Sequence, residues 1–325
     1  MKQHILVTGG AGFIGSHLVD ALLQAGHEVT VIDILSDRNR GNLNPKARNV
    51  NADLTKLETI GIVEALAPDV IFHFAGNASV PKSVADPVMD MEINYVATAR
   101  LLDVASKIGV KRFVFSSTGG GLSSEYTTLP TPENTPSRPL SPYVKHKLAS
   151  EELGEFYCIH RGLPFVALRF ANVYGPRQTV TCGEANVIAT FAHKMVRNEP
   201  VQVNGNGLQT RDYVYVDDVI DACLMLLDQT NAAGPLNVGS EHEINVSTLH
   251  RVMAQYLGYR VPVIKGPADT GASSRSCLDI TKIRMTLGWK PTTSIQDGLK
   301  RTLDWHREEV ERERAKAGLV REFAA

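Results

Sequence analysis

The sequence predicts a doubly wound α/β fold built on a parallel sheet. Three observations point there. Short β-branched runs alternate with longer amphipathic segments through the first half of the chain. A glycine-spaced stretch, VTGGAGFIG (7–15), sits between the first such run and the first helical pattern. Polar candidates then recur just past the ends of predicted strands, which in a parallel sheet share one edge.

HILVT (4–8) is the first strand, and the pattern from Phe13 to Ala25 is the first helix. EVTVID (28–33) and DVIFHFA (69–75) read as further strands. Val88 to Lys107 reads as helix, KRFVF (111–115) as a buried strand, the stretch from Ser141 as helix and LPFVALRF (163–170) as strand. Strands joined through helices at this spacing pair in parallel by right-handed crossovers. Beyond Asn172 the segments shorten, and NEPVQVNGNGLQT (198–210) reads as a surface hairpin. VYVDDVIDACLMLLD (214–228) and PLNVGS (235–240) read as a helix and a strand returning to the main sheet. From Ser294 to about Lys316 the charges alternate along an amphipathic helix with a solvated face.

Composition excludes several classes. With 43% hydrophobic and 21% charged residues the chain is an ordinary soluble globular protein. A net charge of −1 leaves no basic excess for nucleic acid or a membrane surface. No apolar run approaches the roughly 20 residues of a bilayer span. MKQHILVTGG has a strand-length apolar core followed by glycines, not a signal peptide. Cys158, Cys182, Cys223 and Cys277 are widely spaced, and the histidines form no HExxH, so neither disulfides nor a metal site is expected. Reduced cysteines without a leader suit the cytoplasm.

The chemistry starts at Gly9, Gly12 and Gly15. Between a strand and a helix, glycines bring backbone N–H groups against a pyrophosphate at the helix N-terminus; the alternative is a plain glycine-rich turn. Asp33 closes the second strand, where a carboxylate accepts from adenosine ribose hydroxyls and repels a 2′-phosphate, favouring NAD over NADP. The less favoured alternative is a strand-end turn former. Asp53-Leu54 stands where the adenine would lie, or Asp53 opens a helix.

Tyr143 and Lys147 in SPYVKHK (141–147) are four apart, on one helical face. An ammonium beside a phenol favours the phenolate, which suits a general base. Such a pair also arises by chance on exposed helices. It gains meaning from SST (116–118), whose Thr118 offers a hydroxyl at another strand end. Hydroxyl, phenol and ammonium around a nicotinamide suit alcohol–ketone hydride transfer. The following glycines give SSTGGGLSSEY (116–126) the look of a linker, but its first residues end a strand.

These motifs jointly resemble the extended short-chain dehydrogenases/reductases, and within them the NAD-dependent epimerase/dehydratase family, on its UDP-glucose 4-epimerase branch. The resemblance covers nearly the whole chain. It rests on TGGAGFIG, HFAGNASV (73–80), Asn94, SST, YVKHK (143–147), RFANVYGPRQ (169–178), RDYVYVDD (211–218) and LGWKP (287–291). It implies Tyr143 as base, Lys147 as its electrostatic partner and ribose anchor, and Thr118 as proton relay. It places the cofactor on Gly9, Gly12, Phe13, Ile14, Gly15, Asp33, Asp53, Leu54, Phe74, Ala75, Gly76, Asn94 and Ser116, with Tyr143 and Lys147. It places a nucleotide-diphosphate sugar on Ser79, Thr118, Tyr143, Asn172, Arg177, Asn186, Val187, Val203, Arg211, Arg275 and Ser276. For Arg211 the competing account is an ion pair with Asp217 or Asp218. The resemblance also implies a homodimer through stretches around 88–107 and 141–161. It divides the chain into an NAD-binding Rossmann domain (1–171 plus about 210–241) and a smaller α/β nucleotide-sugar domain (about 172–209 and 242–325).

Related dehydratases carry an acid pair after the threonine. Gly119 and Gly120 stand here, and neither transfers a proton, so elimination is disfavoured. The remaining route is oxidation at sugar carbon 4, turning of the ketose and return of the hydride, with NAD retained throughout. A nucleotide-sugar oxidoreductase on the same scaffold is the alternative, and a non-catalytic NAD-responsive protein a more distant one. Three positions depart from the pattern: Ser123 replaces an aromatic, Asp269 replaces a phosphate-clamping Arg for which Arg275 is the nearby substitute, and Ser276 is a small gatekeeper of the kind that admits N-acetylated sugars.

Overall fold

The computed structural model describes residues 1–37, 39–121, 128–180, 186–229, 232–267 and 274–323. Ser123 and Asp269 lie outside them. The chain opens as β1 (His4–Thr8), α1 (Phe13–Gln24), β2 (Glu28–Asp33), β3 (Arg48–Asn51), α2 (Leu57–Leu66) and β4 (Val70–His73). Two short helices follow, α3 (Val80–Ala85) and α4 (Pro87–Met91), then a π-helical turn (Glu92–Val96) that runs into α5 (Ala97–Lys107). Next come β5 (Arg112–Thr118), α6 (Pro142–Arg161), β6 (Phe165–Phe170), β7 (Asn172–Tyr174), α7 (Val187–Val196), β8 (Gln202–Asn204) and β9 (Thr210–Tyr215). The remainder is α8 (Val216–Asp228), β10 (Gly234–Val238), β11 (Glu243–Asn245), α9 (Val246–Leu257), β12 (Ile264–Gly266), α10 (Thr281–Leu287) and α11 (Ile295–Phe323).

Seven strands form the main sheet in the order β10-β6-β5-β4-β1-β2-β3. Every pairing in it is parallel. This is the predicted doubly wound α/β fold. The chain winds outward from β1 through β2 to β3, then returns to β4 and winds the other way, so the strand order reverses between β1 and β4. Thr8 and His73 are register partners there. At such a reversal the crossovers on either side diverge and leave a crevice beyond the strand ends.

Apolar residues cover both faces. On one, Leu18, Leu22, Val31, Val219 and Leu226 belong to a large core that continues into the C-terminal elements through Ile188, Phe191, Leu249 and Trp289. On the other, Leu6, Ile71, Leu101, Phe113 and Phe165 pack beneath α2, α5 and α6. A strand buried on both faces has no polar alternation, which is why β4 and β6 read as nearly continuous apolar runs. No described helix is long and apolar enough to cross a membrane.

One expectation fails. The stretch 198–210 does not form a hairpin. β8 pairs in parallel with β12, and β9 joins β11 and β7 in a three-stranded sheet. Val201 is fully buried and Val203 packs against the large core, so these two valines anchor a segment that otherwise stays at the surface beside β12.

Candidate active site

At the sheet's reversal lies a cleft of about 1120 Å³. Its floor is the turn after β1. Gly9 takes φ +72°, a region that favours glycine, and a Cβ there would sit 2.5 Å from the Ala75 backbone nitrogen. A Cβ on Gly15 would come 2.2 Å from the Gly9 carbonyl oxygen. The two glycines therefore let β1, α1 and β4 approach closely, with the start of α1 facing the cleft. Phe13, Ile14, Gly12, Phe74, Ala75 and Gly76 complete this wall.

Asp33 reaches the same turn from the end of β2. Its Oδ2 accepts the Ala11 N–H at 2.9 Å, and burial raises its pKa above the ordinary carboxylate value, opposed by the Ala11 and Ile34 N–H groups. Asp53 and Leu54 line the far end. Asp53 Oδ1 accepts from the Thr55 N–H at 2.9 Å and the Thr55 hydroxyl at 2.8 Å, a local turn contact; it does not open a helix, since Lys56 is the N-cap of α2.

Across the cleft stand Ser116 and Thr118 at the end of β5, with Tyr143 and Lys147 on α6. Helix α6 is aimed by its start: Ser141 accepts the Val144 N–H at 3.4 Å, and Pro142 occupies the first turn. Lys147 is buried; its Nζ donates to the Ser116 carbonyl at 2.9 Å and lies 4.6 Å from the Phe115 ring centroid. The ammonium is thereby fixed on the phenol's side of the cleft. Hydroxyl, phenol and ammonium are the set needed to move one proton from an alcohol as its carbon loses hydride.

The predicted sugar-side residues divide. Asn172, Arg177 and Asn186 line the cleft. Asn172 Nδ2 donates to the Asp212 carbonyl at 3.2 Å, and Asn186 Nδ2 to the Val173 carbonyl at 2.8 Å. Arg177, at φ +67°, pairs with Asp20 at 2.7 Å, while its Nη1 is buried with no hydrogen-bond partner among the described residues. Ser79, Val187, Val203, Arg211, Arg275 and Ser276 are not among the residues that line the cleft. Ser79 caps α3 through the Lys82 N–H. Val187 and Val203 pack on the core, and Ser276 is buried. Arg275 is held by Glu243 on β11. Arg211 donates to the Thr210 carbonyl at 2.7 Å; Asp217 is paired instead with Arg301, and Asp218 holds the Thr292 N–H. Asn94 is also buried behind the wall rather than in it.

Sequence reasoning missed several lining residues, among them Asn42, Arg100 and Gln178. Asn42 Nδ2 donates to the Ala11 carbonyl at 3.1 Å, and Arg100 Nη1 to the Thr55 carbonyl at 2.7 Å. None of them follows directly on a main-sheet strand end, the signal that found the others.

With this geometry in place, comparison with known proteins decides the family. The NAD dependent epimerase/dehydratase family matches residues 5–239. The chain belongs to that family. It is 38% identical over 307 residues to the UDP-glucose 4-epimerase of Mycolicibacterium smegmatis, covering 93% of this chain and 98% of that one. A crystal structure of UDP-glucose 4-epimerase with UDP-glucose from Thermotoga maritima is 40% identical, covers 94% of this chain and 99% of that one, and has a TM-score of 0.91. The UDP-glucose 4-epimerase of Thermus thermophilus, solved as a complex with NAD, is 37% identical over 94% and 99% of the two chains, with a TM-score of 0.86. Family, fold class, enzyme class and NAD as cofactor thus stand as the sequence predicted. The residues present fit that cofactor: a glycine floor that side chains would obstruct, a carboxylate at the end of β2 and an ammonium anchored beside Ser116.

Proposed function

We propose that this enzyme interconverts the carbon-4 epimers of a nucleotide-diphosphate sugar of the UDP-glucose/UDP-galactose type. The observation that carries this reading is the shared cleft: Thr118, Tyr143 and Lys147 line the same cavity as the Gly9–Gly15 floor and Asp33. The chemistry NAD supplies when bound is reversible acceptance of a hydride from carbon 4. Thr118 relays the proton of the 4-hydroxyl to the Tyr143 phenolate, which is the base, and Lys147 stabilises the phenolate charge before the transfer. Returning the proton by the same path to the turned 4-keto sugar completes the cycle. Asn172, Arg177 and Asn186 hold the nucleotide sugar; the Arg177 fork suits a phosphate.

Leu278 supports epimerisation over elimination. A Cβ on Gly119 would lie 2.5 Å from Leu278 Cδ1, so an acid directly after Thr118 would have to displace that side chain. In this reading residues 1–171 with about 210–241 form the cofactor domain and about 172–209 with 242–325 the sugar domain. The enzyme works in the cytoplasm as a homodimer. Val84, Val88, Phe156 and Ile159 on α3, α4 and α6, between 48% and 75% exposed, supply an apolar face for the partner copy. The deciding experiment offers a panel of UDP-, dTDP-, GDP- and CDP-sugars and follows epimer formation by NMR. Epimers at carbon 4 without added cofactor are expected; a stoichiometric demand for reductant would point to a net oxidoreductase.

A further inference from the structure

Asp90 on α4 is fully buried, faces no cofactor or substrate position, and holds three donors. Asn77 Nδ2 and Asn94 Nδ2 both donate to its Oδ1 at 2.8 Å, and His146 Nδ1 donates to its Oδ2 at 2.7 Å. Each partner leads to the active site by a different route. Asn94, in the π-helical turn, also brackets the Asn77 backbone: its Oδ1 accepts the Asn77 N–H at 3.1 Å and its Nδ2 donates to the Asn77 carbonyl at 3.0 Å. Asn77 Oδ1 in turn accepts the Ser79 N–H at 3.3 Å. Every amide atom is thus committed, which fixes both side-chain orientations. Gly76, Asn77 and Ala78 form the cleft wall facing Lys147. His146 is the residue before Lys147 and lies on the helix that carries Tyr143.

We infer that Asp90 is a positioning residue that ties the cofactor wall to the catalytic helix, through Asn77 and Asn94 on one side and His146 on the other. The link is one of connectivity rather than charge. A Leu at position 90 removes all three acceptor contacts and leaves buried amides unmet. An Asn keeps Oδ1 for both amides, and its NH₂ donates to His146 once the imidazole proton moves to Nε2. His146→Phe cuts only the helix side, whereas His146→Asn restores a donor near the Nδ1 position.

The kcat part of this inference rests on the proposed epimerisation; the affinity for NAD does not. The test measures NAD dissociation by fluorescence, and kcat and KM for UDP-glucose, in Asp90→Leu, Asp90→Asn, His146→Phe and His146→Asn. Asp90→Leu should weaken NAD binding and lower kcat, each by about tenfold or more, with KM changed less than about threefold. Asp90→Asn should stay within about threefold of wild type on both. His146→Phe should lower kcat with NAD affinity kept, and His146→Asn should recover it. Equal losses in Asp90→Asn and Asp90→Leu, or unchanged NAD affinity in Asp90→Leu, would overturn the inference. Should Asp90→Leu fail to fold, equal losses in the two His146 variants would do the same. A wild-type chain that epimerises nothing would sink the sugar reading yet leave the NAD comparison to decide this one.

Discussion

Lys147 Nζ donates to the Ser116 carbonyl at 2.9 Å, so the ammonium is anchored to the strand end that also presents Thr118. One side chain therefore joins α6 to β5 at the point where both reach the cleft. Removing the anchor should act on cofactor and chemistry together, whereas removing the phenol should act on chemistry alone. Lys147→Met is expected to lower both NAD retention and kcat. Tyr143→Phe is expected to lower kcat by about 10²–10⁴-fold while NAD still co-purifies. Absorbance of the purified chain and turnover separate the two; a Tyr143→Phe enzyme with wild-type turnover would remove the phenol from the mechanism.

Asp33, the carboxylate proposed to bind the cofactor, should cost stability in the unliganded chain. Burial raises its pKa, so its contribution is present below the unfolded value and is lost as pH rises through the folded one. Ionising Asp33 thus costs the folded apo protein more than it costs the unfolded chain. Asp33→Asn should therefore leave the apo melting temperature at pH 7 equal to or above wild type, while weakening NAD binding about 10–100-fold. Calorimetry with and without NAD tests both halves. A large loss of apo stability would mean that the Ala11 contact, not ligand binding, is the residue's main task.

What was legible in the sequence is what is local. β1, β2, β4, β5 and β6 announce themselves because strands buried on both faces need apolar runs, and the Gly9–Gly15 spacing follows from one tight turn. The parallel pairing of β8 with β12 did not, because it joins residues some 60 positions apart and the glycines of NGNG mimic a hairpin turn. The π turn at Glu92–Val96 is likewise silent: one extra residue per turn leaves helical periodicity almost intact, yet it sets the register of Asn94 on Asn77. Arg275 was read as a phosphate ligand because no local pattern reveals Glu243, the distant acid that holds it.

Two buried histidines make the fold acid-sensitive. His73 sits in a directional chain. Thr98 Oγ1 donates to the Asn94 carbonyl at 2.9 Å, so it must accept from His73 Nε2, and His73 Nδ1 accepts from the Thr8 hydroxyl at 2.7 Å. Burial, with the Lys147 charge, lowers the His73 pKa to about 3; burial, with His193 and Arg197, does the same for His306, to about 3. Depressed folded values mean stability that is full above the unfolded pKa of about 6.5 and falls as pH drops toward 3. By linkage each should remove about 2 kcal/mol between pH 7 and pH 5. His306 Nε2 has no partner among the described residues, so His306→Leu should flatten that loss without harming stability at pH 7. Urea midpoints at the two pH values measure the difference; equal slopes for both proteins would refute it.

Glu151 and Arg169 form an ion pair 3% and 8% exposed, beneath the end of β5 that carries Ser117 and Thr118. Arg169 Nη2 meets Glu151 Oε2 at 2.7 Å, Nε meets the same oxygen at 3.0 Å, and Ser117, next to Thr118, donates its hydroxyl to Oε1. Arg169 Nη1 also donates to the Glu133 carbonyl at 2.9 Å, and Glu133 accepts the Asn237 N–H at 2.8 Å. The pair therefore ties β5, β6 and β10 together at their active-site ends. Breaking it leaves a charge with no counterion in the sheet's interior. Arg169→Met should cost about 3–5 kcal/mol, whereas the double variant with Glu151→Met should recover much of that loss, since neither charge is then buried alone. Because Ser117 loses its acceptor in the double variant, turnover should remain low even where stability returns. Chemical denaturation and kcat measured on the same four proteins separate these effects. Losses that simply add would show that the two side chains are not coupled, and full activity in the double variant would show that Thr118 needs no support from below.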